Sequence, residues 1–470
     1  FAALVEGGDF GHPRFAGLED RWPAIETALT AAGVATEDLV LAWDFVTASD
    51  AFLRSDLTTM RDAALPAIGD AGANLSFVVT NTLPNLPGRT HKRYLGTFAS
   101  PDFLTAGEAD ASVLRRGPDG LPAMDGLRDA RFSAIIPSCI ADTERFPLPR
   151  PTVVFGHGLF GSSEEYASDG FVIDLANDFC FVVVAGDFIG LSSRQLPVVA
   201  LAINDMNRGP QISEKLAQAV IDFIALESAA RGPMASDPAF QVEGEPVIDP
   251  TQVHYLGGSL GGIMGNTILA YDPNFTKGVL AVPGGVWSML FERSAAWSAL
   301  LGTAQGSYTD AALYQLVVAF LGMAMEPYDP ITTAAHVTKD PLFGQPAKEV
   351  LIWYTLGDSL VTNITTEMVV REMGIPVLAP TVREPWNTPV EEGPLQSGVT
   401  VYDEHPDPMP PETNVPPHDD NGTHSGVNRN GAVLRQVEQF LLFDQIIATC
   451  KQGDEIVACD CNPDGGGVCD

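Results

Sequence analysis

Hydrophobic and polar positions keep changing rhythm along the chain. Up to about Gly88, Trp22–Ala32 and Asp50–Ile68 carry apolar residues at helical spacing, whereas Asp38–Thr47 (DLVLAWDFVT) and Leu75–Asn81 read as strands. These elements predict a small N-terminal α/β unit over residues 1–88. The stretch NTLPNLPGRTH, with two prolines and a glycine, marks its boundary.

Beyond it, HKRYLGTF and ARFSAIIPS alternate like half-exposed strands, and PRPTVVFGHGLFGSS is a buried strand running into a glycine-rich turn. A helix over Ser163–Asn177 leads to the buried strand CFVVVAGDF. Ser213–Ala230 is helical, QVHYLGGSLGG is a strand entering a helix that reaches Ala270, and TKGVLAVPGG and EVLIWYTLGD are further buried strands. A long helix, Asn430–Thr449, closes the pattern. Buried β-branched strands separated by helices predict a doubly wound, mostly parallel sheet in an α/β domain over residues 89–449.

Within that domain, residues 286–337 form an apolar helical insertion holding Trp287, Met289, Leu290, Phe291, Trp297, Phe320 and Met323. They are either core helices or a cap, and the insertion follows a strand end, where open α/β sheets bind ligands. Residues 379–421, rich in Pro, Glu and Asp, read as a long loop. Residues 450–470 form a Cys-rich tail.

Composition narrows the function. At 470 residues, 45% hydrophobic and 18% charged, the chain can bury a sizeable core. Its 60 acidic against 26 basic residues, a net charge of -34, repel phosphate backbones, so no nucleic acid partner is expected. The most apolar stretch, Leu313–Met325, falls short of the roughly 18 residues of a membrane helix, so no transmembrane segment is expected. Phe1 opens the chain without an initiator Met or a signal-like core, so any export signal is either already removed or was never part of this sequence. Six cysteines, four of them at 450, 459, 461 and 469, suggest an oxidised, extracytoplasmic protein. Their C-x8-C-x-C-x7-C spacing lacks the paired knuckles of zinc sites.

The chemistry concentrates in YLGGSLGGIMG. Gly257-Gly258-Ser259-Leu260-Gly261 fits G-x-S-x-G between a strand and a helix, the context of a nucleophile elbow. Glycines at 257 and 261 allow strand and helix to pass closely, and the turn lifts the Ser259 hydroxyl to the sheet edge. A serine needs a base and an orienting acid, which follow in the order Ser, Asp or Glu, His. Asp358, ending VLIWYTLGD, is the candidate acid, although Gly-Asp is also a common turn former. His405, His418 and His424 lie downstream as candidate bases. His424, in NGTHSGVNRN just before the closing helix, is favoured by position over the other two, which sit among prolines and acids. The oxyanion donors expected are the N–H groups of Leu260, after the nucleophile, and Leu159, in FGHGLFGSS after an earlier strand. His157 in that loop reads as a brace.

FGHGLFGSS, YLGGSLGG, LGDSLV and NGTHSGV occur in the order of the α/β-hydrolase superfamily, which the chain resembles over roughly Thr90–Thr449. AWDFVTAS, at Ala42–Ser49, also resembles the N-terminal segment of the bacterial virulence-factor lipases. The resemblance implies a secreted or surface serine esterase or lipase acting on small-molecule, lipid or polymer esters, with Ser259, Asp358 and His424 as a triad and no cofactor. It also places the second strand antiparallel beside the fourth, which would bring Cys139 to Cys180. In the tail, Asp460-Cys461-Asn462-Pro463-Asp464-Gly465 echoes the start of a calcium loop, but the distal glutamate is missing and the cysteines favour a disulfide knot. A serine peptidase of the same fold and an inactive, hydrolase-like binding protein are the rival readings.

Overall fold

The computed structural model describes residues 1–470 apart from 9, 14, 37, 38, 412, 414 and 462–466. The described residues divide into two compact units, Phe1–Phe52 and Leu53–Asp470. The first is built on helix α1 (Phe15–Ala31), which buries Phe15 and Trp22. The strand expected at 38–47 does not form in its described part. Residues 39–47 have no strand partner, and Trp43 and Phe45 remain 67% and 73% exposed. Apolar alternation makes a strand only where a neighbouring strand takes up its backbone groups.

Helix α2 (Asp50–Ile68) matches its expected bounds. The next strand, β1 (Phe77–Leu83), expected within the small N-terminal unit, pairs antiparallel with β2 (Thr90–Pro101) at the edge of the large sheet. That sheet continues through β3 (Leu127–Pro137), β4 (Arg150–Gly156), β5 (Val182–Gly186), β6 (Ile248–Gly258), β7 (Lys277–Ala281) and β8 (Glu349–Thr355). It ends with β9 (Val377–Ala379), β10 (Val390–Glu392), β11 (Gly398–Asp403) and β12 (Cys459–Asp460). The spatial order is β1-β2-β3-β5-β4-β6-β7-β8-β11-β9-β10, with β12 beside β11. β3 lies antiparallel to β5, and every pair from β5 onward is parallel. This is the arrangement the resemblance implied.

Both faces are covered by helices. Side chains alternate across each strand, so Val154, Val184, Leu280 and Ile352 join the core shared with α5 (Pro210–Ala229) and α6 (Leu260–Tyr271). Val153, Val183, Val279 and Leu351 face the core shared with α3 (Gly170–Phe179) and α11 (Gly431–Phe443). A helix between these, α4 (Leu196–Asn204), packs beside α5. The closing helix is shorter than the expected 430–449, because Asp444 takes a left-handed conformation (φ 59°) and ends it.

The insertion is helical as expected, comprising α7 (Trp287–Arg293), α8 (Ser298–Ser307) and α9 (Ala311–Met325). After β8 the chain adds α10 (Asn363–Met373). α9 gains two alanines and a following 3-10 turn relative to the stretch read from sequence. Ala311–Tyr328 therefore becomes the one helix among the described residues long and apolar enough to cross a membrane, with a mean hydropathy of 1.2. It lies within the insertion, with Tyr314, Val318 and Met325 buried.

Three disulfides join Cys139 to Cys180, Cys450 to Cys459 and Cys461 to Cys469. Cys139 and Cys180, 5.7 Å apart at Cα, follow β3 and precede β5, as the antiparallel pairing of those strands requires. Asn462, Pro463, Asp464 and Gly465 of the calcium-like stretch lie outside the described residues.

Candidate active site

β6 and α6 converge at Ser259, whose backbone (φ 56°, ψ -117°) is strained for any residue with a side chain. The strain is tolerated because its neighbours fix it. The Ser259 N–H donates to the Ala281 carbonyl at 3.0 Å, and the Ile263 N–H donates to the Ser259 carbonyl at 2.8 Å. A Cβ at Gly257 would come within 2.4 Å of the Gly261 backbone, and one at Gly261 within 2.1 Å of the Gly156 carbonyl oxygen. Only hydrogen fits at either position, so the glycines answer the close crossing of strand and helix.

The loop after β4 passes over this turn. A Cβ at Gly158 would stand 4.0 Å from the Ser259 hydroxyl oxygen. Among the described residues the N–H groups of Leu159 and Leu260 have no acceptor, and Leu260 opens α6, whose N-terminal end favours negative charge. His157 holds the loop. The Phe188 N–H donates to its Nε2 at 2.8 Å, which leaves Nδ1–H to donate to the Gly158 carbonyl at 2.7 Å. Burial lowers the pKa of this imidazole from its ordinary value and so keeps it neutral. The bracing role read from sequence fits these bonds. Tyr166, not singled out in the sequence, accepts from the Gly158 N–H at 3.3 Å.

Asp358 follows β8 and is buried. Its Oδ1 accepts from the Leu360 and Val361 N–H groups at 2.8 and 2.9 Å, which directs Oδ2 to His424 Nδ1 at 2.6 Å. His424, also buried, stands in a four-residue turn, Thr423–Gly426. Its Nε2 has no partner among the described residues. Burial opposes its charge, but the Asp358 carboxylate and the hydrogen bond to it, with Asp420 beyond, outweigh this and raise its pKa from the ordinary value. The other two candidate bases lie elsewhere. His405 is held by Asp460 of the tail, and the His418 side chain is 96% exposed beside Asp419.

Several residues that fix this geometry escaped the sequence reading. Asn421 donates to the Gly357 carbonyl at 2.9 Å and receives Ser359 Oγ at 3.2 Å, tying the histidine loop to the acid loop. Thr423 bridges Thr355 on β8 and Glu404. Trp353 Nε1 donates to Asn428, which in turn donates to the His424 carbonyl. Glu404 follows β11, a strand missed inside the supposed loop 379–421. The β-branched run GVTVYD was the available signal.

Ser259, His424, Leu159 and Leu260 line one cavity of about 350 Å³, together with apolar side chains of the insertion including Trp287, Leu290 and Trp297. The insertion therefore covers a cleft at the C-terminal ends of the parallel strands, which is the cap alternative of the two read from sequence.

No family model and no curated protein matches the sequence. Among solved structures, the chain is similar to the acetyl xylan esterase from Paenibacillus sp. R4, at 14% identity over 76% of this chain and 90% of that one, with a TM-score of 0.44. It is also similar to acetyl xylan esterase 1 from Thermoanaerobacterium sp. JW/SL YS485 (14%, 75% and 89%, TM-score 0.42) and to a Mycobacterium tuberculosis puromycin-hydrolyzing peptidase (13%, 74% and 46%, TM-score 0.35). With β3 antiparallel beside β5, parallel strands beyond, a serine on the turn from β6 into α6 and an Asp–His pair on the loops after later strands, the chain has the α/β-hydrolase fold.

Proposed function

We propose that the protein is a serine hydrolase that cleaves carboxylic esters with apolar acyl or aryl groups through an acyl-enzyme. Ser259 Oγ attacks the ester carbonyl while His424 Nε2 takes its proton. Asp358 keeps the other imidazole proton on Nδ1, and the N–H groups of Leu159 and Leu260 receive the oxyanion. His424 then gives its proton to the departing alcohol, and water attacks the acyl-enzyme with the same base. The chemistry draws on protein groups alone. The observation that carries the reading is the buried His424: its Nδ1 is bonded to Asp358, and its Nε2, beside the cavity that Ser259 lines, has no partner among the described residues.

The apolar cap lining supports a hydrophobic ester, small, lipid or polymeric. The three disulfides support an extracytoplasmic location. The test is hydrolysis of p-nitrophenyl esters by the wild type, Ser259→Ala and His424→Ala. Turnover by the wild type, lost in both variants, is the expected result. Folded wild-type protein that cleaves arylamides faster than esters would favour a peptidase, and protein that cleaves neither would favour a binding role.

A further inference from the structure

A second cavity lies next to the one at Ser259. It measures about 50 Å³ and is lined by apolar side chains, among them Ile203 of α4, Phe291 of α7 and Leu321 of α9. Trp287 and Trp297 line both cavities and so form the wall between them. Trp297 stands in a row of rings. Its centroid is 5.9 Å from Phe160, which lines the Ser259 cavity, and 5.6 Å from Phe291, which lines the second.

The backbone under Trp297 is held by hydrogen bonds and its side chain by ring packing. Trp297 ends a single 3-10 turn between α7 and α8. At the base of that turn the Ala295 N–H donates to the Ser359 carbonyl at 2.9 Å, and Ser294 Oγ accepts from the Ala296 N–H at 3.2 Å. The indole itself is held by ring contacts. The buried Trp287 Nε1–H has no acceptor among the described residues, so turning that indole breaks no hydrogen bond. Behind the two rings no charged side chain among the described residues lines the second cavity, and an apolar cavity of this kind admits hydrocarbon in preference to water.

We propose that Trp297, with Trp287, gates a second acyl chamber, so that the site takes esters of long linear acyl chains whose distal carbons displace the indoles and enter between α4, α7 and α9. This inference rests on the ester-hydrolase reading above. The acyl half is the part that stays on Ser259 after the alcohol departs, and an apolar chamber beside the serine suits the half that stays. Short acyl groups remain in the first cavity and do not meet the gate.

The test compares kcat/KM for p-nitrophenyl decanoate and butyrate in the wild type, in Trp297→Ala and in Leu321→Trp, which fills the chamber from its far wall and leaves the gate in place. Trp297→Ala is expected to raise the decanoate-to-butyrate ratio about tenfold and Leu321→Trp to lower it about tenfold, in the range set by apolar pocket fit. Wild-type ratios in both folded variants would overturn the proposal. Calorimetric binding of methyl decanoate and methyl butanoate to Ser259→Ala protein, with and without Leu321→Trp, separates the two levels of the argument. Decanoate binding that Leu321→Trp weakens, together with a folded wild type that turns over no ester, would sink the hydrolase reading and keep the chamber. Equal binding of both esters, unaffected by Leu321→Trp, would remove the chamber.

Discussion

Replacing Asp358 by Asn isolates one proton. Asp358 Oδ1 accepts two backbone N–H groups at 2.8 and 2.9 Å, and an asparagine Oδ1 can keep both, so the side chain stays in place. The atom facing His424 Nδ1, now a carboxylate oxygen 2.6 Å away, becomes an amide N–H donor. Nδ1 must then accept, the imidazole proton moves to Nε2, and the face toward Ser259 loses the lone pair that takes its hydroxyl proton. A wrong tautomer of this kind costs about 10⁴-fold in kcat, or about 5 kcal/mol of activation free energy. The assay is the steady-state rate on p-nitrophenyl butyrate with a thermal melt on the same preparation. A folded Asp358→Asn protein that keeps more than a tenth of the wild-type kcat would refute the assignment of acid and base.

Other consequences follow from charge and covalent linkage. The wild-type kcat/KM should rise with pH through a single limb above His424's ordinary value of about 6.5, because only neutral imidazole accepts the serine proton and Asp358 holds its pKa up; a limb below that value would contradict the pairing. Asp272, fully buried and beside buried Glu227, has its pKa pushed up to about 8. The folded state then holds a proton that the unfolded state releases near 4, so this contribution to stability is complete below that pH and is lost as pH rises through about 8. Urea unfolding of Asp272→Asn should accordingly show a flatter pH dependence than wild type across that range, and an unchanged slope would count against it. Removing the Cys139–Cys180 bond by a double serine substitution opens a loop with a sequence separation of 41 residues. By loop entropy this should cost about 4 kcal/mol of unfolding free energy, and an unshifted urea midpoint would deny the bond a stabilising role.

What the sequence disclosed depended on how local the physics was. The elbow was legible because the crossing of β6 and α6 demands glycine at 257 and the approach of α6 to β4 demands it at 261, and the sheet because a β-branched run such as VVVAG is buried on both faces. The segment 39–47 misled for the opposite reason: its alternation is that of a strand, and pairing is a property of the neighbour. β11 was overlooked because prolines and acids flank GVTVYD, although β8 on one side and β9 on the other bury it. Chain order left three histidines open. Only the loop folding back under Asn421 and Thr423 brings one of them, His424, to Asp358, and no sequence pattern encodes those ties. Trp353 likewise acts through a distant partner, Asn428.

Covalent capture asks directly whether Ser259 is the nucleophile of an ester hydrolase. Incubating the protein with a fluorophosphonate and mapping the adduct by peptide mass spectrometry should place one phosphonyl group on the peptide containing Ser259, with ester turnover falling in step with labelling. An unlabelled Ser259 in protein that still hydrolyses esters, or label on another residue that tracks the lost activity, would rule out Ser259 as the nucleophile.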